Sequence, residues 1–393
     1  MTQMMSAGQQ PDTTQVPVGP DGSAPFGDEA GEPGIAVAPQ WKLVWWGFKR
    51  HKLAMAGMVV VGCIYLLAIF AEFVAPYSSG HYNADYAYAP PQRLHLLDNG
   101  HVGLYTYGYK SKQDPETLEL SWTIDKAKKV PVRLFAHGEH YKLLGLIPGD
   151  IHLIGPSAGT KAPPMYLVGA DRNGYDLLSR IIHGSRVSMS IGLVGVSMAF
   201  VLGVVLGGVS GFFGGIVDTA IQRGVEFFMS IPTLPLWLGL AAAVPPSWGP
   251  LKRYFAVTVI LSMIAWTHLA RVVRSRFLSL REEDFVTAAR VDGASQPRII
   301  FRHMLPSFSS YLIASLTLSI PGMILAETSL SFLGLGLQAP VVSWGVLLHD
   351  AQNIRAVATA PWLLLPGLMV VVAVLSLNFL GDGLRDAADP YKH

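Results

Sequence analysis

Two acids stand in stretches that are otherwise apolar: Glu226 and Glu327. A carboxyl at bilayer depth is costly unless it faces a neighbouring helix or a water-filled path. Together with Met229 and Pro232, these acids are therefore candidates for lining a pathway through the protein, although each could equally serve packing or sit at an interface. Enzymatic chemistry would need more than this. Neither acid belongs to an HExxH helix or has an identifiable Ser/His partner, so no catalytic residue is assigned. The chain also carries no GxxxxGK[ST] loop, the backbone cradle that holds nucleotide phosphates. Seven of the twelve histidines (His81, His95, His101, His137, His140, His152 and His183) fall in one polar stretch. No pair has the spacing that fixes two ligands on one helix face, so they read as surface or hydrogen-bonding groups and no metal is expected. Cys63 is the single cysteine and lies in an apolar run, which excludes an intrachain disulfide and a cysteine zinc cluster.

The elements that must position these groups follow from hydropathy. Hydrophobic residues make up 51% of the 393 and charged ones 14%, a balance that points to a membrane protein. A net charge of +2, with the basic residues beside apolar runs, gives no footprint for nucleic acid. Residues 1–40 have neither the basic start nor the apolar centre of a signal peptide, and their Gly, Pro, Gln and Thr predict a disordered cytoplasmic tail. Residues 41–76 hold an interfacial segment, WKLVWWGFKRHK, and a first span from Leu53 to about Phe73. Residues 77–168 form a β-rich extracytoplasmic insert, with Asn99-Gly100 as a hairpin signal and short strands at Val130–Phe135 and Tyr141–Leu146 on either side of Gly138.

Residues 169–393 form the core, with five more spans. The second runs from Ser188 to about Gly211 with a small-residue stripe at Gly195, Ala199, Gly203, Gly207, Gly211 and Gly215, read as a helix-packing face. The third lies between about Gln222 and Val244, broken by Pro232 and Pro235. The fourth covers Tyr254 to about Val273, the fifth Ser310 to about Thr328 with an interruption at Pro321-Gly322, and the sixth Trp362 to about Leu380. Seven arginines (271, 274, 276, 281, 290, 298 and 302) against Glu282, Glu283, Asp284 and Asp292 make the segment after the fourth span net positive and hence cytoplasmic, with both termini on that side.

That segment, residues 282–306, reads as an elbow. Phe285, Ala288, Ala289 and Asp292 share one face of a short helix, Gly293 is placed for a left-handed C-cap, and Ser295 with Pro297 starts a second helix. From the residues alone it is a docking elbow or an amphipathic connector. It resembles the EAA loop of ABC importer permeases: Thr287-Ala288-Ala289, three residues, Gly293, then His303-Met304-Leu305-Pro306. Thr287 stands where that pattern has Glu and His303 where it has Ile, leaving Glu283 or Asp284 as the acids near enough to compensate.

The likeness is narrower than the superfamily. FVTAARVDGASQPRIIFRHMLP, LAETSLSFLGLGLQAPVVSWG, APWLLLPG and NFLGDGLRDAADP look like the second permease of the dipeptide/oligopeptide importer family. The segment Gly169–Gly192 is similar to its G-T-D-x-x-G-R-D stretch, with Ala170 and Tyr175 departing. The insert is longer than in the commonest members and resembles an extended subset. The resemblance implies an all-α polytopic protein of the type I ABC importer permease fold in a bacterial inner membrane. It implies as partners membrane lipid, a second homologous permease in a heterodimer, two cytoplasmic ATP-binding subunits carrying ATP and Mg, and an extracytoplasmic substrate-binding protein. This chain would bind no cofactor and would couple to the ATPase through Glu283, Asp284, Phe285, Thr287, Ala288, Ala289, Arg290, Asp292, Gly293 and Ala294. The expected solute is a di- or oligopeptide; the family also carries oligosaccharides, opine-like compounds and nickel. An ATP-independent secondary transporter or channel is the remoter alternative.

Overall fold

The computed structural model describes residues 40–98, 101–113, 115, 120–157, 159, 163–245 and 247–388. The expected tail over residues 1–39 and the Asn99-Gly100 hairpin turn lie outside the described residues. Among those described, five helices are long and apolar enough to cross a membrane, and a sixth crossing results if one bent pair counts as a span.

Helix α1 (Gln40–Arg50) is amphipathic, with Trp45 and Trp46 exposed and Phe48 buried. His51 interrupts it and caps α2 (Lys52–Ile69), its Nδ1 accepting the Ala54 N–H at 3.1 Å. A short α3 (Ala71–Val74) completes the first span. Arg186 clasps its C-terminal end: the guanidinium donates to Ala68 O (2.8 Å) and Ile69 O (3.0 Å) and bidentately to Glu72 (2.5 and 2.7 Å).

The insert contains a small antiparallel sheet in the order β1 (His95–Asp98), β2 (His101–Gln113), β3 (Leu120–Leu143), β4 (Ile147–Pro156). β3 is long enough to serve two partners, pairing with β2 through its first half and with β4 through its second. Gly138 therefore lies inside a strand rather than between two. A Cβ there would come within 2.5 Å of the His152 ring, so the glycine makes room for that ring, and the chain turns later, at Leu144–Leu146. Tyr86, Tyr109, Trp122 and Tyr166 form the insert's aromatic core, with Tyr86 stacked on Trp122 at 5.6 Å. Backbone bonds from Asn83 to Gly174, Tyr88 to Asp171 and Ala170 to Ala89 sew the start of the insert to the chain that leaves it.

Helix α4 (Leu177–Phe213) starts eleven residues before the expected second span. Hydropathy marks only the lipid-facing part, whereas Asp176 caps a helix that continues outside it. Its Oδ2 accepts from the Ser179 N–H (2.9 Å) and hydroxyl (2.6 Å), while its buried Oδ1 has no partner among the described residues. Burial pushes the Asp176 carboxyl up from its ordinary 3.8 to about 6, against the opposing Ser179 bonds. Because the folded state then holds this proton more tightly than the unfolded chain, its contribution is fully present below the ordinary value and is lost as pH rises through about 6. That is a cost of about 3 kcal/mol at neutral pH. Asp176→Asn keeps an acceptor and removes the charge. It is expected to raise the melting temperature of the detergent-solubilised protein at pH 7.5 and to change it little at pH 4.5.

The glycine stripe of α4 packs on α7 (Pro250–Leu280): a Cβ at Gly203, Gly207 or Gly211 would meet Leu269, Ala270 or Arg274 at 2.9, 2.4 or 2.6 Å. Gly215 departs from the stripe. It begins α5 (Gly215–Ser230) with nothing near a Cβ. The expected third span is α5 followed by α6 (Thr233–Ala242), bent by 87°. Ile231 precedes Pro232 and is extended, as a pre-proline residue tends to be, which makes the corner. Arg274 of α7 holds the other end of α5, its first turn, through Asp218, donating at 2.5 and 2.6 Å.

Past the elbow, α11 (Ser309–Phe332) follows; Pro321 lies buried inside it and does not interrupt it, contrary to the sequence expectation. A proline removes only its own N–H, and packed neighbours can absorb that within a membrane protein. Leu333–Gly336 then form a turn. The following segment contains α12 (Trp344–His349) and α13 (Ile354–Thr359), and α14 (Leu365–Ala388) packs against α2.

Candidate functional site

The elbow is built as capping chemistry dictates. α7 ends at Leu280, Glu283 occupies the N-cap of α8 (Asp284–Val291), and Asp284 supplies an acid to its first turn, where the helix dipole favours one. Gly293 has φ +74°. Its N–H donates to Arg290 O (3.0 Å) and the Ala294 N–H to Ala289 O (3.0 Å), the paired bonds of a Schellman stop. Ser295 then caps a short α9 (Gln296–Arg298), with Pro297 in its first turn but no side-chain cap bond. A π-helical turn over Ile299–Met304 and α10 (Leu305–Ser307) lead to a break at Phe308 before α11.

One side of α8 is fixed to the membrane domain. Val286 and Ala289 are buried with Ile299, Met304 and Phe308 against Phe212 of α4 and Phe277 of α7. Phe277 meets Phe308 edge-on at 5.9 Å, and the Arg290 guanidinium lies 5.9 Å over Phe212. The face expected from sequence is thus divided. Phe285, Ala288 and Asp292 are exposed, while Ala289 turns inward with Val286. Glu283, Asp284, Thr287 and Gly293 are also exposed, and Ala294 is half-buried. Sequence reasoning missed two apolar side chains: Val291, 83% exposed, and Phe301, also exposed. Once Val286 is taken as the packing residue, Val291 falls on the opposite side of a 3.6-residue helix, and this would have been the signal.

Glu327 sits at the junction of α4, α11 and the segment leading into α12. Its Oε1 accepts from Ser331 and Ser343 hydroxyls, both at 2.8 Å, and its Oε2 from Ser188 at 3.5 Å. Those hydroxyls in turn accept backbone N–H bonds from Leu337 (3.0 Å), Val346 (3.2 Å) and Trp344 (3.1 Å). The Trp344 indole, fully buried, donates to Ile181 O at 3.1 Å. Glu226 is exposed on α5 and paired with Arg223 at 2.8 Å, one helical turn away. Met229 and Pro232 lie nearby, Met229 exposed near the end of α5 and Pro232 at the corner.

A cavity of about 340 Å³ opens among α4, α6, α7 and α11, lined by Phe200, Thr233, Trp237, Leu261, Ser319 and Met323 among others. Glu226, Met229, Pro232 and Glu327 are not among its lining residues, although Thr233 follows Pro232 directly. Trp237 is one of its lining residues, and its buried indole N–H has no partner among the described residues. Sequence reading did not single it out, because a tryptophan in an apolar run carries no mark of what its N–H faces.

Comparison with known proteins bears on the same regions. The family described as binding-protein-dependent transport system inner membrane component matches residues 201–392, and the N-terminal TM domain of oligopeptide transport permease C matches residues 39–91. The dipeptide transport system permease protein DppC of Alkalihalophilus pseudofirmus is 37% identical over 61% of this chain and 74% of its own length. The oligopeptide transport system permease protein OppC of Haemophilus influenzae is 37% identical over 58% and 72%. OppC of Bacillus subtilis is 27% identical over 89% of each. Among solved structures, an inward-facing MetNI methionine ABC transporter chain overlaps 54% of this chain and 98% of its own at 20% identity and a TM-score of 0.42. With matches to both the first span and the elbow-bearing core, the chain belongs to the ABC peptide importer permeases, the inner membrane components of binding-protein-dependent transport systems.

Proposed function

We propose that this chain, in the type I ABC importer permease fold, forms half of the translocation pathway of an ATP-driven importer of di- or oligopeptides. A second, homologous permease supplies the other half, two cytoplasmic subunits bind ATP and Mg, and an extracytoplasmic binding protein delivers the solute. The observation that carries this reading is the division of α8: Val286 and Ala289 are locked to the ends of α4 and α7, while Phe285, Ala288 and Val291 are exposed among the described residues. A helix held on one side and open on the other can accept a push and pass it on as a rigid body. Phe277 and Phe212 are the first side chains to receive it. Without a GxxxxGK[ST] loop, the chain depends on its partners for ATP hydrolysis. The basic residues beside α2 and around the elbow support a cytoplasmic position for both termini.

The test is uptake of labelled peptides into proteoliposomes holding the complete importer and its binding protein. Uptake is expected only with ATP, and Val291→Glu is expected to abolish co-purification of the ATPase subunits while leaving the melting temperature of the permease unchanged. Peptide uptake without ATP would overturn the reading in favour of a secondary transporter or channel. Uptake confined to nickel or an oligosaccharide would overturn the peptide assignment alone.

A further inference from the structure

The turn that closes the β3–β4 hairpin has an unusual composition for its geometry. Leu144 and Gly145 have φ of +52° and +76°, with the Gly145 N–H donating to Lys142 O (2.9 Å) and the Leu146 N–H to Leu143 O (3.0 Å). Two successive left-handed residues make a turn whose first position ordinarily falls to Asn, Asp or Gly. Here it holds leucine, in the run Lys142-Leu143-Leu144-Gly145-Leu146-Ile147-Pro148. Leu144 and Ile147 are exposed, and Leu146 is 81% exposed. An extracytoplasmic turn facing water has no physical reason to place three large apolar side chains at its tip.

The position of the hairpin supplies one. Toward its base, Gly155 and Pro156 bound a small space with Pro76 and Tyr77. Next, the His152 Nδ1 lies 2.6 Å from Ala75 O, and the Phe135 ring lies 6.2 Å from that of Phe73. Phe135 itself is left-handed (φ +53°) and exposed. Farther along, Tyr141 and Glu72 wall the same cavity. Along the hairpin the neighbours on the first span thus run backwards, from Tyr77 to Glu72, in the direction of the apolar α2. Leu143 pairs with Ile147, so the tip lies three to five residues past Tyr141, on the order of 10 Å at the usual rise of a strand.

We propose that the tip Leu143–Ile147 is seated in the outer leaflet of the bilayer, with lipid acyl chains as its partner. The Phe135 ring meets Phe73 of the first span, and Lys142, exposed at the neck of the tip, stands where a lysine reaches headgroup phosphates. The insert is then held to the membrane at two points, its covalent junction with the first span and this turn.

The experiment is spin labelling of the complete importer in lipid nanodiscs, with Leu146→Cys in a Cys63→Ser background. Collision with oxygen, which concentrates in acyl chains, is compared with collision with a water-soluble nickel chelate. The expected result is an oxygen-to-nickel accessibility ratio above unity at residue 146 and below unity at Ile124→Cys, an exposed site on the other half of β3. A ratio below unity at 146 would overturn the proposal. So would a label that neither reagent reaches, which would put a protein surface, such as the second permease or the binding protein, over the tip. If Leu146→Cys fails to assemble, Ile147→Cys gives the same reading.

Discussion

Gly293→Val is expected to leave the permease folded and in the membrane, with ATP still hydrolysed, while solute imported per ATP falls about tenfold or more. A Cβ at Gly293 would meet nothing within 4 Å, so no neighbour is displaced. The cost lies in the backbone. At φ +74° a β-branched residue pays about 1–2 kcal/mol, and relaxing to negative φ breaks the bonds from Gly293 to Arg290 and from Ala294 to Ala289. Either outcome loosens the angle between α8 and the Ser295–Met304 segment. A penalty near 1.4 kcal/mol lowers the population of the coupling geometry about tenfold. Gly293→Asn, which tolerates the left-handed region, is expected to retain coupling. Parallel ATPase and uptake assays on the reconstituted importer read both variants, and full transport by the valine variant would remove the elbow from its assigned role.

Gly207→Leu is expected to destroy the membrane domain. The new Cβ would stand 2.4 Å from Ala270 O and 2.9 Å from Ala270 Cα, both backbone atoms of a helix that cannot yield locally. α4 and α7 would have to separate, which opens the packing at Gly203 and Gly211 and pulls Arg274 from Asp218. Overpacking against side chains alone costs about 1–3 kcal/mol, and here backbone meets backbone, so the loss exceeds that range. Gly195→Ala is the contrast. The three atoms nearest its Cβ all belong to the Met323 side chain, at 3.2 Å, and a flexible thioether can move aside at a smaller cost. Thermal melts of the solubilised proteins distinguish the two, and a stable Gly207→Leu variant would show that the helices do not meet at this stripe.

Hydropathy located the apolar helices because lipid imposes a composition on the segment it contains. It missed their ends, since α4 and α7 run on into polar surroundings where capping groups such as Asp176, and not lipid, decide the boundary. Prolines were legible only in part: Pro232, with Pro235 three residues on, makes a corner, while Pro321 is absorbed in a packed helix. Nothing local separates these outcomes, because the neighbours that accommodate Pro321 are distant in sequence. In the elbow, the stop at Gly293 and the restart at Ser295 were readable from residue types. Which side of α8 faces inward was not, because Phe212 and Phe277 decide it from other helices. Glu327 was recognisable as an acid out of place, but two of its three serine partners lie 16 and 139 residues away.

That carboxylate has a mechanical consequence. Through Ser188, Ser331 and Ser343 it fastens the N-terminal part of α4, the end of α11 and the segment leading into α12 at a single point inside the protein. Separating any one of the three would strand buried hydroxyls or an oxygen of Glu327 without partners, at about 1–3 kcal/mol for each. The three therefore travel as one stiff keystone during any rocking of the pathway. Movement is relegated to joints that lack such a fastening, foremost the bent corner between α5 and α6.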